Sequence, residues 1–274
     1  MKNIAFGQYY PADSLIHRLD PRAKVLMAIL YIVCAFLCKN LLAFGVLIAS
    51  CVLLILMAKL PLKMVLGTLK PLIVILIFTS VINIFMTKGE HLLTPPQWKI
   101  KIYEEGVWNA LFMMLRIVAL LATTEVLLTL TTTPIGLTDA LESLMSPLRV
   151  VRFPVHVLTM IITIALRFIP TLMEETQKIM NAQKARGADF QSGGLIKKAK
   201  ALLPVFIPLL SSAFKRADEL ANAMDCRCYR GGVGRTKLKM LRFRASDAVA
   251  LALLVGFGVG LFFVNRLGIG YTMS

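Results

Sequence analysis

The sequence is poor in the side chains and motifs that catalysis and metal binding require. It has only 3 histidines, which are scattered, and the HExxH, GxSxG and GxxxxGK[ST] motifs are absent. The glycine-rich stretch GGVGRTK at residues 231–237 lacks the spacing of a phosphate-binding loop. These absences predict a chain that is not an enzyme and that holds no cofactor or metal of its own.

Cysteine is also scarce, with 5 residues in the chain. Cys34, Cys38 and Cys51 lie in apolar runs, where small packing residues are expected. Cys226 and Cys228 form a CxC pair that is too tight and too isolated for a good metal site. A disulfide is not expected there, because the pair is predicted to face a reducing compartment.

Apolar residues, in contrast, are too abundant for a water-soluble fold. They make up 57% of the chain, and its mean hydropathy is +0.73, whereas soluble domains are about 45–50% apolar. A helix of roughly 17–25 apolar residues crosses a bilayer. Five segments approach or reach this length: Ala23–Cys38, Leu41–Ala58, Val65–Met86, Val107–Thr132 and Ala245–Val264. The predicted fold is an all-α polytopic membrane protein with about five transmembrane helices.

Positive charge is unevenly distributed and predicts the orientation of these spans. The chain has 31 Lys and Arg against 15 Asp and Glu, and the stretch from Met173 to Ala245 alone has 15 and 6. Basic loops stay in the cytoplasm, and the N-terminal segment is basic as well. We therefore expect the N-terminus and the Met173–Ala245 stretch inside, and the Thr87–Gly106 loop and the C-terminus outside.

The region between the fourth and fifth spans is predicted to form a module of amphipathic helices at the cytoplasmic surface. Val155–Leu166 is apolar but short, and Pro170 follows it, so a first helix is expected from about Thr171 to Ala185. A second helix is expected after Pro208, with an apolar stripe at helical spacing: Leu210, Ala213, Phe214, Ala217, Leu220, Ala221 and Met224. Hydropathy alone leaves open a sixth and a seventh span, at Val155–Leu166 and Ala201–Leu210.

Two similar segments end these two helices. KIMNAQKARGADF (Lys178–Phe190) and LANAMDCRCYRGG (Leu220–Gly232) place an arginine at equivalent positions, Arg186 and Arg227. Each arginine stands between small residues: Ala185 and Gly187 at the first, Cys226 and Cys228 at the second. Two interpretations stay open. Each arginine caps the carbonyls of its own helix, or its planar guanidinium enters a groove on a partner and bonds a carboxylate and carbonyls there.

Charges within a membrane span are expensive and often functional, and Lys70, Arg116 and Glu125 are the candidates. Lys70 is close to a span end and reaches the interface. Arg116 and Glu125 are on opposite faces of one helix, which argues against an ion pair between them. Glu125 either lines a transport path or packs against a polar partner on another helix.

Three stretches resemble a known family, the T component of energy-coupling factor importers, which are ATP-driven vitamin and metal-ion uptake systems. They are DSLIHRLDPRAKVL, PVHVLTMIITIALRFIPTLMEETQKIMNAQKARGADF and FKRADELANAMDCRCYRGG. The paired Ala-Arg-Gly signature of that family is intact at Ala185-Arg186-Gly187. At Cys226-Arg227-Cys228 the arginine is kept and its neighbours differ.

The resemblance implies a scaffold between two cytoplasmic ATPase subunits and a substrate-binding membrane subunit. Both arginine triplets would dock on the ATPases, which bind the ATP, and closure of the ATPases would move the attached helices. The chain would then divide into a membrane part at 1–132, a coupling-helix module at 133–244 and a last span with an external tail at 245–274.

Two other classes of function remain as alternatives. A stand-alone secondary transporter or channel would transport without partners, and more polar residues are expected in its spans. A nucleic-acid-binding role would need aromatic residues interleaved with the basic ones, and the basic block lacks that pattern. Lys197, Lys198 and Lys200 are better explained by contact with anionic lipid.

Overall fold

The computed structural model describes residues 9–87, 103–147, 153–190, 194–231 and 241–266, and the regular structure in these ranges is helical. The chain packs as two units. The first joins Met1–Leu144 to Met240–Ser274, and the second is Met145–Lys239. The division of the chain predicted from the sequence, at residues 133 and 245, stays a prediction.

The described helices of the first unit are mostly long and apolar. A 3-10 turn at Lys70–Leu72 joins two of them, and a π-helical turn at Glu125–Leu130 extends another. The helices are α1 (Pro21–Leu37), α2 (Leu41–Met57), α3 (Leu62–Leu69), α4 (Ile73–Met86), α5 (Glu104–Thr124), α6 (Pro134–Leu144) and, from the C-terminal part of the chain, α9 (Ala245–Arg266). The second unit contains α7 (Val155–Ala185) and α8 (Leu195–Cys226).

The segments predicted to span the membrane coincide with these helices. Leu62–Met86, Glu104–Leu130 and Ala245–Arg266 are each long and apolar enough to cross a bilayer, while α1 and α2 have 17 residues each. Many large apolar side chains of these helices, such as Val74 and Leu253, are exposed, which is expected of residues that face lipid. The prediction of an all-α polytopic membrane protein with about five transmembrane helices is confirmed.

The core of the first unit forms around α1, which packs against α5, α6 and α9. Helices approach closely where a residue is small, as is usual in membranes. A Cβ at Gly258 of α9 would lie 2.9 Å from the Cys34 sulfur of α1. One at Gly106 of α5 would lie 3.1 Å from the Ile84 carbonyl oxygen of α4. Cys34, Cys38 and Cys51 are buried packing residues, as predicted.

One buried carboxylate ties the start of α9 to the start of α1. Asp247 is fully buried and accepts hydrogen bonds from the backbone N–H of Asp20, at 2.9 Å, and of Arg244, at 2.7 Å. Asp20 is in turn the N-cap of α1, accepting from the Arg22 N–H at 2.8 Å, and Pro21 occupies the first helical position. Asp247 therefore joins two helices that are more than 200 residues apart in the chain.

Two of the three candidate charged residues in the spans, Glu125 and Arg116, have polar partners elsewhere in the first unit. The Glu125 carboxylate accepts a hydrogen bond from the Thr68 hydroxyl of α3 at 2.5 Å. Arg116 donates to the Cys38 carbonyl at 2.8 Å, and its guanidinium lies 5.3 Å from the centre of the Phe44 ring. Packing against a polar partner, one of the two interpretations of Glu125, therefore fits this geometry.

The predicted helix break at Pro170 is wrong. Pro170 lies inside α7, which runs unbroken for 31 residues from Val155, so the apolar Val155–Leu166 and the polar Thr171–Ala185 belong to one helix. Pro204 and Pro208 lie inside α8 in the same way. A proline removes one hydrogen bond and bends a helix without ending it when the flanking turns are good helix formers. By length and composition α7 is thus a further helix able to cross a membrane.

Candidate functional site

The candidate site is built on α7 and α8, which pack antiparallel in the second unit. Glu175 of α7 meets Ser212 and Arg216 of α8. Tyr229, just past the end of α8, donates to the Met160 sulfur near the start of α7 at 3.1 Å. The C-terminal end of α8 therefore lies beside the N-terminal half of α7. Sequence reasoning singled out neither Glu175 nor Tyr229.

The end of α7 is closed by backbone hydrogen bonds alone. Gly187 takes a left-handed conformation with φ +87°. Its N–H bonds the Lys184 carbonyl at 3.0 Å, and the Ala188 N–H bonds the Gln183 carbonyl at 3.0 Å. This pair of bonds is a Schellman motif. Arg186 is the residue at which the helix ends.

The end of α8 repeats that geometry bond for bond. Cys228 takes the left-handed conformation, with φ +55°, and its N–H bonds the Asp225 carbonyl at 2.9 Å. The Tyr229 N–H bonds the Met224 carbonyl at 3.1 Å, and Arg227 is the residue at which the helix ends. The likeness of the two segments in sequence therefore corresponds to a likeness in backbone structure.

All six predicted site residues are exposed, as two triplets at two helix ends: Ala185, Arg186, Gly187, Cys226, Arg227 and Cys228. Within the described ranges, neither guanidinium has a hydrogen-bond or ion-pair partner. The last carbonyls of each helix are bonded by backbone N–H groups instead, so the arginine side chains do not cap them. Each helix end presents a free planar cation flanked by small residues.

An open apolar groove of about 280 Å³ lies between α7 and α8. Its walls are mainly aliphatic and aromatic side chains: Ile164, Phe168, Leu172, Ala213, Arg216, Ala217, Leu220, Ala221 and Met224. The predicted apolar stripe of α8 is thus divided. Ala213, Ala217 and Leu220 face this groove, whereas Leu210 and Phe214 are exposed.

The left-handed Cys228 leads to a testable prediction. A residue with a Cβ costs about 1 kcal/mol or more in this conformation, whereas glycine adopts it freely. We expect Cys228→Gly to strengthen the end of α8, so that hydrogen exchange of the Tyr229 amide becomes slower. The reciprocal change Gly187→Ala should speed exchange of the Ala188 amide at the end of α7. Faster exchange in Cys228→Gly would contradict this description of the end of α8.

The known proteins that this chain resembles point to one family. The CbiQ family, described as cobalt transport protein, matches residues 12–238. A protein of Clostridium kluyveri is 49% identical over 91% of this chain and 92% of its own length. One of Acidaminococcus fermentans is 49% identical over 93% of this chain and 96% of its own length. One of Lactococcus lactis subsp. cremoris is 42% identical over 93% of this chain and 95% of its own length. Each of the three is named energy-coupling factor transporter transmembrane protein EcfT. The chain therefore belongs to the family of energy-coupling factor transporter transmembrane proteins.

Proposed function

We propose that this membrane subunit couples ATP hydrolysis by two cytoplasmic ATPase subunits to movement of a substrate-binding membrane subunit, for uptake of a vitamin or a metal ion. The observation that supports this most is the pair of equivalent helix ends with free arginines. The two equivalent helix ends of α7 and α8 are suited to two similar ATPase subunits. A guanidinium is suited to a groove in which a carboxylate and carbonyls converge. In this proposal the chain is a non-catalytic subunit, and the ATP is bound by the ATPases.

The exposed apolar surface of the second unit supports a membrane partner. Among the described residues of α7 and α8 only Val155, Thr159 and Val205 are buried. Large apolar side chains stand exposed along both helices, including Ile161 and Ile162 on α7 and Ile196, Phe206, Ile207 and Phe214 on α8. Exposed patches of this kind mark sites of protein or membrane contact. We assign part of this surface to the substrate-binding subunit and part to lipid.

A co-expression experiment tests the proposal. The chain is expected to co-purify with two ATPase subunits and one substrate-binding subunit, and the complex should take up substrate in liposomes only with ATP. The chain alone, at equal density in the same liposomes, is the control and is expected to be inactive. Uptake by the chain alone would favour a secondary transporter or channel.

The orientation of the chain is part of the same proposal. We place the N-terminus and the α7–α8 unit in the cytoplasm and the C-terminus outside, because the basic residues of the second unit favour the inner side. A cysteine introduced at Lys197 of α8 is expected to react with a membrane-impermeant maleimide only from the cytoplasmic side. Reaction from outside would show that α7 crosses the membrane. The matching outer positions, in 88–102 and 267–274, fall outside the described residues.

A further inference from the structure

Three polar side chains join α7 to α8, and we call them the clasp: Glu175, Ser212 and Arg216. Both carboxylate oxygens of Glu175 are used. Oε1 accepts from the Ser212 hydroxyl at 2.5 Å, and Oε2 accepts from the Arg216 guanidinium at 2.9 Å. Ser212 and Arg216 are one turn apart on the same face of α8. Bonds to both oxygens fix the direction of the carboxylate as well as its position.

The clasp lies at the same place relative to both arginine ends. Glu175 and Arg216 are 41 residues apart in the chain, and Arg186 and Arg227 have the same separation. Each partner of the clasp is therefore eleven residues before the arginine that ends its own helix. With a rise of 1.5 Å per residue, each arm is about 16 Å long. Since the helices are antiparallel, the two arms extend from the clasp in opposite directions in space.

The packing on one side of the clasp is open. Ala213 and Ala217 flank Arg216 on α8, and the open groove begins at these residues. Small side chains beside a void leave few interlocking contacts that would hold the angle between two helices. The ion pair is itself partly exposed, with 36% of the Arg216 side chain and 23% of the Glu175 side chain accessible. Such pairs add little to folding stability, so stability does not account for this arrangement.

We propose that the clasp is the pivot of a lever formed by α7 and α8, with Glu175 and Arg216 as its positioning residues. When the two arginine ends approach each other, a crossing held by the clasp converts this approach into rotation of the N-terminal halves of α7 and α8, which lie beyond the clasp. Without the clasp, the two helices slide past each other, and the movement does not reach these N-terminal halves. This inference rests on the proposed function, since it requires that both arginine ends dock on moving partners.

The test measures movement in the full complex with its ATPases, using pairs of spin labels. One pair sits near the arginine ends, at Asn181→Cys and Asn222→Cys. The other pair lies in the N-terminal halves of α7 and α8, at Val157→Cys and Leu202→Cys. Cys226→Ala and Cys228→Gly remove the two exposed native thiols, and because both are site residues, every labelled clasp variant is compared with this background and not with wild type. With the clasp intact, ATP and vanadate are expected to change both distances. In Glu175→Ala or Arg216→Ala, only the distance near the arginine ends should change.

Coupling gives a second readout. ATPase pull-down and ATP hydrolysis should stay near wild type in the clasp variants, while substrate uptake per ATP falls about tenfold. The charge-exchanged double variant Glu175→Arg with Arg216→Glu should recover part of the loss, which shows that the ion pair and not either residue alone is required; the unchanged pull-down and hydrolysis exclude a merely structural defect. Glu174→Gln and Lys215→Gln are matched controls, because each removes one exposed charge next to the clasp.

The outcomes separate the pivot from the proposed function. Three results would each overturn the pivot. They are an unchanged movement of the N-terminal halves in Glu175→Ala, a loss of assembly in the clasp variants, and no recovery in the charge-exchanged variant. If the Arg186→Ala, Arg227→Ala double variant assembles and transports normally, the proposed function itself fails. If the arginines prove necessary while the clasp variants keep wild-type uptake per ATP, only the pivot is lost.

Discussion

Replacing both Arg186 and Arg227 with alanine is expected to abolish assembly with the ATPase subunits and, with it, substrate uptake. Loss of one charged hydrogen bond at a buried interface costs about 2–5 kcal/mol, which is roughly 30-fold or more in affinity. Two ends on one scaffold act together, so each single alanine variant should impair uptake while the remaining end keeps part of the assembly. The protein itself should fold, because both side chains are exposed and bond nothing within the described ranges.

Lysine substitutions distinguish docking from a simple charge effect. Arg186→Lys and Arg227→Lys keep the positive charge at each helix end but lose the planar, five-donor geometry. Docking predicts a clear loss of uptake in these variants, smaller than in the alanine variants. Lys184→Ala and Arg230→Ala are matched controls, because each removes an exposed cation within a few residues of a helix end. Wild-type pull-down and uptake in the double alanine variant, at equal membrane levels, would contradict the coupling role.

Asp247→Ala is expected to produce the largest loss of stability in the first unit. The substitution removes the acceptor of the Asp20 amide, at a buried position, and of the Arg244 amide, at a partly buried one. The expected cost is about 1–3 kcal/mol, because the buried Asp20 N–H loses its bond and stays desolvated. The effect should extend to the start of α1, since Asp20 is the residue that caps it.

Thermal unfolding in detergent, followed by the fraction of protein that stays monodisperse, measures this loss. Asp247→Asn keeps one acceptor oxygen and should lie between wild type and Asp247→Ala. Asp218→Ala is the matched control, since Asp218 is an exposed aspartate on α8. Equal unfolding temperatures for Asp247→Ala and Asp218→Ala would show that the buried carboxylate does not join α1 to α9.

The membrane helices could be predicted from sequence because their signal is local. A run of apolar residues defines each one, and the positions of Leu41–Met57 and Ala245–Arg266 follow from hydropathy alone. The break at Pro170 could not be judged in that way. Whether a proline bends or ends a helix depends on the turns on both sides of it, and Pro170, Pro204 and Pro208 all lie inside helices.

The arginine ends were partly predictable, and the clasp was not. Repetition within the sequence identified Arg186 and Arg227, and Gly187 indicated a left-handed helix end. Cys228 did not indicate one, because the same backbone is adopted there without glycine. Glu175 and Arg216 form a pair only once α7 and α8 are packed together. Their equal 41-residue separation was present in the sequence and could have drawn attention to them.

The near absence of buried residues in α7 and α8 has a consequence for the supply of subunits in the cell. A chain made in excess of its partners exposes long apolar faces that nothing in the described structure covers. Exposed segments with few internal contacts open readily and are cut by proteases first. Degradation of unassembled copies is therefore expected to hold the amount of this chain to that of its partners, so that the ratio of subunits is set after synthesis.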